Sequence, residues 1–344
     1  MDITEMLTLG AKQGASDLHI SAGLPPIIRI DGDLHRTNLP SLAGHQVHSL
    51  IHQIMNNKQK RDFEEFLDID FSFAIPDVAR FRVNVFQQNR GPAAVFRTIP
   101  TQVLTLEQLG MGDVFRNISL QPRGLVLITG PTGSGKSTTM AAMVDCINKN
   151  RPDHILTIED PIEFVHQSKK GLINQRQMYR DTLNFDQCLR SALREDPDVL
   201  VIGELRDLQT IRLALTAAET GHLVLATMHT TSATKTIDRV VDVFPAGEKS
   251  MVRSMLSESL QAVISQLLLA KEGGGRVAAH EIMIGTRAIR NLIREGKIAQ
   301  MYSSIQTGSA VGMQTLDQCL KYLVGQGVIR KDVAKAKAQF PDTL

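Results

Sequence analysis

Gly130-Pro131-Thr132-Gly133-Ser134-Gly135-Lys136-Ser137-Thr138 fits the pattern G-x-x-x-x-G-K-[ST], and the residues on either side fit its context. Gly124 to Thr129 before it is a short apolar run of buried-strand length. Thr138 to Val144 after it reads as the first two turns of a helix. Glycines let the backbone wrap a phosphate chain without Cβ clashes, so successive N–H groups and the helix N-terminus face the anion. Lys136 would reach the β- and γ-phosphates of ATP, and the Ser137 hydroxyl would ligate Mg²⁺. This is a nucleotide-binding loop.

The rest of the composition sets bounds. The chain has 344 residues, enough for two or three domains, and its 42% apolar and 22% charged content is ordinary for a globular protein. A net charge of +2 gives no electrostatic case for nucleic acid as the main partner. The start, Met1-Asp2-Ile3-Thr4-Glu5-Met6, carries acids where a signal peptide carries bases. No stretch approaches the roughly 20 apolar residues of a membrane span, so any membrane role is expected to be peripheral. Cys146, Cys188 and Cys319 are far apart and lack C-x-x-C spacing, which predicts reduced structural thiols in a cytoplasmic protein and no zinc site.

Residues 1–100 read as an α+β domain. A short helix is expected over Met6 to Gln13. Strands follow at Ser16 to Ser21 and Pro26 to Ile30, with a turn at Asp31-Gly32-Asp33. Val47, Leu50, Ile51, Ile54 and Met55 share one helical face. Phe71 to Ile75, Arg80 to Phe86 and Ala93 to Ile99 then form a meander, turning at Gln88 to Pro92. Within it Phe81, Val83 and Val85 share a face, so Arg80 and Arg82 project from the other. Arg97 has the parity of Val95 and Ile99. These arginines serve either as surface ion pairs or as cations for a phosphate bound elsewhere.

Residues 101–123 are expected to be a linker, with one apolar-periodic piece at Leu104 to Leu109. From 124 to 344 strands and helices alternate, which predicts a parallel α/β sheet. Its strands are Gly124 to Thr129, His154 to Ile158, Val199 to Ile202 and Leu223 to Thr227, and the helix Leu208 to Thr220 stops at Gly221. Beyond about residue 245 the reading is helical over Lys249 to Leu269, Thr286 to Arg294 and Thr315 to Leu323. One strand, Arg276 to Ile284, interrupts it.

Ligands of such a sheet sit beyond the carboxyl ends of its strands. One strand ends in Glu159-Asp160-Pro161-Ile162-Glu163, where Pro161 forces a turn among three carboxylates. ATP hydrolysis needs a carboxylate to orient or deprotonate water, and others to hold Mg²⁺ directly or through water. A second strand, Val199 to Ile202, ends in Gly203-Glu204, a Walker B pattern with glycine where aspartate is common. The residues leave open whether Glu204 acts through Mg²⁺-bound water or as the base. A third stretch runs from His222 to His229, followed by Thr230-Thr231-Ser232. If it is one strand, seven steps of roughly 3.3 Å separate the imidazoles by about 23 Å. His229 is then the γ-phosphate sensor, and His222 faces the opposite edge and serves an interface.

Taken together, these four boxes resemble the secretion ATPases of type II, type IV pilus and type IV secretion systems. Ala288-Ile289-Arg290-Asn291-Leu292 is similar to the A-I-R-N-L motif of the pilus retraction ATPases, and Ala15 to His19 also fits. The long N-terminal region and four-cysteine element usual in assembly and type II enzymes are missing, which favours retraction. The resemblance implies an N-terminal PAS-like α+β domain and a RecA-like P-loop ATPase domain with a helical C-terminal region. It implies a homohexamer at the cytoplasmic face of the inner membrane, acting on an integral-membrane pilus platform protein. It implies Glu163 as general base, Glu204 as the partner of Mg²⁺-bound water and Asp160 beside the metal. It also implies N-terminal arginines reaching the phosphates, with Arg82 and Arg97 ahead of Arg80 and Arg90. Ile289, Leu292 and Ile293 form an apolar stripe, whereas Arg290 and Asn291 lie off it. Their helix is expected to contact a partner or transmit force, so a change at Arg290 should spare hydrolysis and abolish retraction. Three other readings are a sister retraction, secretion or assembly ATPase, a RecA-like nucleic-acid translocase, and a non-hydrolysing nucleotide switch. With 4% aromatic residues and no tryptophan, base stacking on a nucleic acid is disfavoured.

Overall fold

In a computed structural model, residues 2–30, 32–76, 78–99 and 102–344 are described. Asp31 of the expected turn and Pro100 and Thr101 at the expected domain boundary lie outside them. The chain divides into two compact units, Met1–Gln102 and Val103–Leu344.

The first unit opens with helix α1 (Ile3–Lys12), started by a reciprocal cap in which Asp2 accepts from the Glu5 N–H and Glu5 accepts from the Asp2 N–H. Strands β1 (Asp17–Ser21), β2 (Ile27–Ile30) and β3 (Asp33–Arg36) follow, then helices α2 (Gly44–Ile54) and α3 (Asn57–Phe66). The meander β4 (Asp68–Ile75), β5 (Ala79–Gln88) and β6 (Gly91–Ile99) completes it. Among the described residues these strands form one antiparallel sheet, ordered β3-β2-β1-β6-β5-β4. Phe81, Val83 and Val85 of β5 and Ala94 and Phe96 of β6 bury against Val47, Leu50 and Ile51 of α2. The same period of two turns Arg82 and Arg97 outward.

The second unit begins where a linker was expected. Residues 103–123 instead carry helix α4 (Asp113–Ser119), and Leu106, Phe115 and Ile118 are buried in this unit's core. The helix is only seven residues long, between Gly112 and Pro122, too short for its periodicity to stand out. Strand β7 (Gly124–Thr129), helix α5 (Lys136–Asn150), strands β8 (His154–Glu159) and β9 (Leu172–Gln177) and helix α6 (Phe185–Ala192) come next. Strand β10 (Val199–Ile202), helix α7 (Leu208–Glu219), strand β11 (Leu223–Met228) and helix α8 (Ala233–Asp242) continue the alternation. Helix α9 (Lys249–Ser259) leads into the hairpin β12 (Leu260–Ala270) and β13 (Arg276–Ile284). Helices α10 (Arg287–Arg294), α11 (Met301–Thr307), α12 (Leu316–Gly325) and α13 (Lys331–Lys335) finish the chain.

Among the described residues the sheet order is β13-β12-β7-β11-β10-β8-β9, parallel throughout except for β13 against β12. Both faces are covered. Val126 and Ile128 meet α4 and α5, while Leu125 and Leu127 meet the side carrying α6 to α10. The expected helix Lys249 to Leu269 is therefore corrected: it is helical to Ser259 and then strand. Residues 260–270 form a nearly continuous apolar run buried on both faces, and such a run has no period that separates strand from helix. The order β7-β11-β10-β8 brings the carboxyl ends of four parallel strands side by side.

Candidate functional site

The loop Gly130 to Thr138 leaves β7 and enters α5 with φ of 145° at Gly130 and 85° at Gly135, values suited to glycine. A Cβ on Gly130 would lie 2.3 Å from the carbonyl oxygen of Gln266, and one on Gly135 would lie 2.8 Å from Gln266 Nε2. Gln266, on β12, braces the loop. Its Nε2 donates to the Ser134 carbonyl at 2.6 Å, and its Oε1 accepts from the Thr139 hydroxyl at 2.7 Å. His280 Nε2 lies 3.2 Å from the same Oε1. Sequence reading missed Gln266 because it sat in a run assigned to a helix. The available signal was an amide in the middle of that apolar stretch, beside Ser265.

Lys136 folds back to donate to the carbonyls of Gly130 (2.8 Å) and Pro131 (3.0 Å). Burial pushes its pKa down, and the carboxylates of Glu204 and Glu163 push the other way. The charges of Glu163, in the loop after β8, and Glu204, just past the end of β10, are thus felt at the lysine of the P-loop. His229 Nε2, after β11, lies 3.3 Å from Glu204 Oε1. Arg206 Nε donates to Glu204 Oε2 at 2.8 Å, and Arg206 Nη1 lies 3.8 Å from Asp160 Oδ2. Arg206 was not singled out in the sequence, although it stands two residues after Glu204.

The glycine in the Walker B position has a steric reason. A Cβ on Gly203 would come within 3.3 Å of Glu159 Cα and of the Ile158 carbonyl, so a side chain there would press on β8. The Thr227 hydroxyl donates to the Gly203 carbonyl and ties β11 to the same corner. Asp198 lies at the other end of β10, where its carboxylate accepts from the His154 N–H at 2.9 Å.

Glu159 differs from its neighbours. Its carboxylate is withdrawn from solvent and accepts from the Thr157 hydroxyl (2.6 Å) and Gln175 Nε2 (3.1 Å), and burial pushes its pKa up. It is engaged with the protein, whereas Asp160 is exposed. Ser137, Asp160 and Glu204 offer the hard oxygen donors that suit Mg²⁺, which takes one or two protein oxygens and completes its shell with phosphate and water. Among the described residues no group of three or more His, Cys, Asp or Glu could hold a metal by itself.

His222 sits at the amino end of β11, as expected, and its Nδ1 lies 3.0 Å from the Ala217 carbonyl at the end of α7. In the first unit, Arg82 and Arg97 are cross-strand partners on β5 and β6. Arg97 Nε donates to Asp17 Oδ1 at 3.0 Å, and Asp17 is buried; Arg82 Nε lies 3.8 Å from Asp70 Oδ1. Arg90 is turned to the Ala22 carbonyl at 3.1 Å, and Arg80 to the Ser72 hydroxyl at 3.3 Å.

The stretch Ala288 to Leu292 lies on α10, with Ile289 and Ile293 buried and Leu292 packed beside them. Arg290 lies off that stripe and is half-buried, and its guanidinium donates to the carbonyls of Gly285 (2.7 Å), Glu258 (2.8 Å) and Leu260 (2.9 Å). It fastens α10 to the end of α9 and the start of β12, elements that the helical reading of 249–269 had merged. Asn291 is exposed and donates to Glu295 Oε1 at 2.9 Å.

Residues 1–273 match the family model described as Type II/IV secretion system protein. The chain is 72% identical over 344 residues to the type IV pilus retraction ATPase PilT of Pseudomonas aeruginosa, covering all of both chains. It is 61% identical over 320 residues to a twitching motility protein of Neisseria gonorrhoeae, covering 93% of this chain and 86% of that one. It is also 37% identical to the type IV pilus ATPase PilU of Pseudomonas aeruginosa, across all of this chain and 90% of that one. A crystal structure of the pilus retraction motor PilT with bound ADP superimposes with a TM-score of 0.93 at 46% identity, covering 100% of this chain and 99% of the other. The ATPase DotB of Legionella pneumophila gives 0.85 at 29% identity, covering 98% and 95%.

Proposed function

The chain belongs to the Type II/IV secretion system protein family, and on that premise we propose that it is an ATP-hydrolysing motor that retracts type IV pili. The carrying observation is the end-to-end identity of 72% with a pilus retraction ATPase, with no stretch of either chain left over. The nucleotide loop and the acids gathered around Lys136 supply the chemistry.

ATP binds with its phosphates on the N–H groups of Gly133 to Thr138, and Lys136 leaves the Gly130 and Pro131 carbonyls for the β- and γ-phosphates. Glu163 orients a water and takes its proton as the water oxygen attacks the γ-phosphorus in line. The bond to the β-γ bridging oxygen breaks, ADP leaves, and the proton passes from Glu163 to solvent. Ser137, Asp160 and Glu204 would hold Mg²⁺, partly through water, and the ion would offset phosphate charge. His229 and Arg206 hold the Glu204 carboxylate, and His229 reads the γ-phosphate beside it. Arg82 and Arg97 supply positive charge to the phosphates in an assembled homohexamer. They are directly opposite on adjacent strands, which sets two guanidinium groups on one outward face of the sheet.

Among the described residues no helix is long and apolar enough to cross a membrane. Work at the cytoplasmic face of the inner membrane therefore passes through an integral-membrane platform protein in this proposal. The test is complementation of cells that lack their retraction ATPase. The wild-type chain should restore twitching and Lys136→Ala should not. An active ATPase that fails to restore twitching contradicts the retraction assignment and favours a sister secretion or assembly role.

A further inference from the structure

The loop that carries Glu163 is held from β9, a strand whose residues Leu172-Ile173-Asn174-Gln175-Arg176-Gln177 are mostly polar. Gln175 and Gln177 share one side of it by the strand period of two. Gln175 Nε2 donates to the Phe164 carbonyl at 2.8 Å and to Glu159 Oε1 at 3.1 Å, and Gln175 Oε1 accepts from the His166 N–H at 2.8 Å. Gln177 Oε1 accepts from the Ile162 N–H at 3.4 Å. The Glu159 carboxylate, at the start of the same loop, is steadied by Gln175 and by the Thr157 hydroxyl. The main chain is thus tied down at residues 162, 164 and 166, on both sides of Glu163.

We propose that Gln175 is a positioning residue for Glu163, acting through the Glu159 carboxylate and the Phe164 and His166 backbone. Its amide carries no charge and titrates nowhere near neutrality, so it cannot replace the base or the metal ligands. What it supplies is geometry. With the backbone fixed at 162–166, Glu163 keeps only its side-chain torsions, and its carboxylate stays near the line of attack. A displacement of about 1 Å in such a group can cost on the order of 10²-fold in rate. The inference rests on Glu163 being the general base.

The experiment is a double-mutant cycle on the full-length protein, reading ATP turnover and ADP affinity. Gln175→Met keeps the side-chain length and loses the hydrogen bonds. It should lower kcat by about 10- to 100-fold and leave ADP affinity within about threefold of wild type, because the P-loop is untouched. On a Glu163→Gln background, Gln175→Met should cause no further loss. If Gln175→Met fails to bind ADP, Gln175→Glu serves instead, since it keeps the acceptor for the His166 N–H and loses the donors. Wild-type kcat in the Gln175 variant, or the same fold-loss in both backgrounds, overturns the positioning role. Wild-type turnover by Glu163→Gln alone contradicts the general-base assignment, and that outcome is visible without the Gln175 variant.

Discussion

Arg82 and Arg97 stand directly opposite one another on adjacent antiparallel strands, with Asp17 opposite Arg97 on the next strand over. Like charges facing across strands cost a few tenths of a kcal/mol to about 1 kcal/mol. Arg97 is compensated by buried Asp17 at 3.0 Å, whereas Arg82 lies 3.8 Å from the exposed carboxylate of Asp70.

Arg82→Thr should therefore separate stability from function. Its melting temperature should equal or exceed that of wild type, because the repulsion is relieved and the lost surface pair is worth little. ATP turnover should fall by about 10³-fold or more, the scale of an arginine finger. Wild-type turnover would remove Arg82 from the phosphate-binding set.

Gln266→Ala removes the brace between β12 and the P-loop. Losing the bonds to the Ser134 carbonyl and the Thr139 hydroxyl should weaken ADP binding about tenfold, roughly 1.4 kcal/mol. Calorimetric titration reads this directly. Unchanged affinity would mean that the loop holds its shape without β12.

These two sites mark how far the sequence could be read. The P-loop, the acids after β8 and β10 and His229 were legible because each follows an apolar run of strand length. The braces were not. Gln266 lies in a strand buried on both faces, whose continuous apolar run reads equally as helix. Gln175 lies on a polar edge strand with no hydrophobic signal, and only its hydrogen bonds reveal it. Arg290 lies off the buried stripe, but its clamp is hidden in the sequence because its acceptors, the Glu258 and Leu260 carbonyls, sit at a helix-to-strand junction that reads as unbroken helix.

That geometry changes what Arg290 should do. Arg290→Ala leaves three carbonyls without this donor and should destabilise the second unit by about 2–3 kcal/mol, a drop of roughly 5–10 °C in its melting temperature. Below that temperature ATP turnover should persist, because the guanidinium binds α9, β12 and the β13–α10 turn and takes no part in the P-loop. An unchanged melting curve would contradict the clamp.

Acid should weaken the fold through buried imidazoles. Burial pushes the pKa of His280, beside Gln266, down to about 4, and that of His166 likewise to about 4. Both are neutral in the native state at neutral pH, and the unfolded chain takes up their protons near 6.5. Their contribution is full above about pH 6.5 and is lost as the pH falls toward 4, by up to about 3 kcal/mol for His280. His280→Gln should flatten that part of a melting-temperature profile. A profile as steep as wild type would place the acid sensitivity elsewhere.

The central claim is that Glu163 takes the proton of the attacking water, and the most direct measurement is Mg-ATP hydrolysis by wild type and Glu163→Ala with oligomer mass recorded on the same samples. The account predicts that wild type turns over, that Glu163→Ala is slower by about 10² to 10⁴, and that both assemble into the same ring. Turnover by Glu163→Ala at the wild-type rate, or ATP binding by a monomeric wild type without hydrolysis, would contradict it.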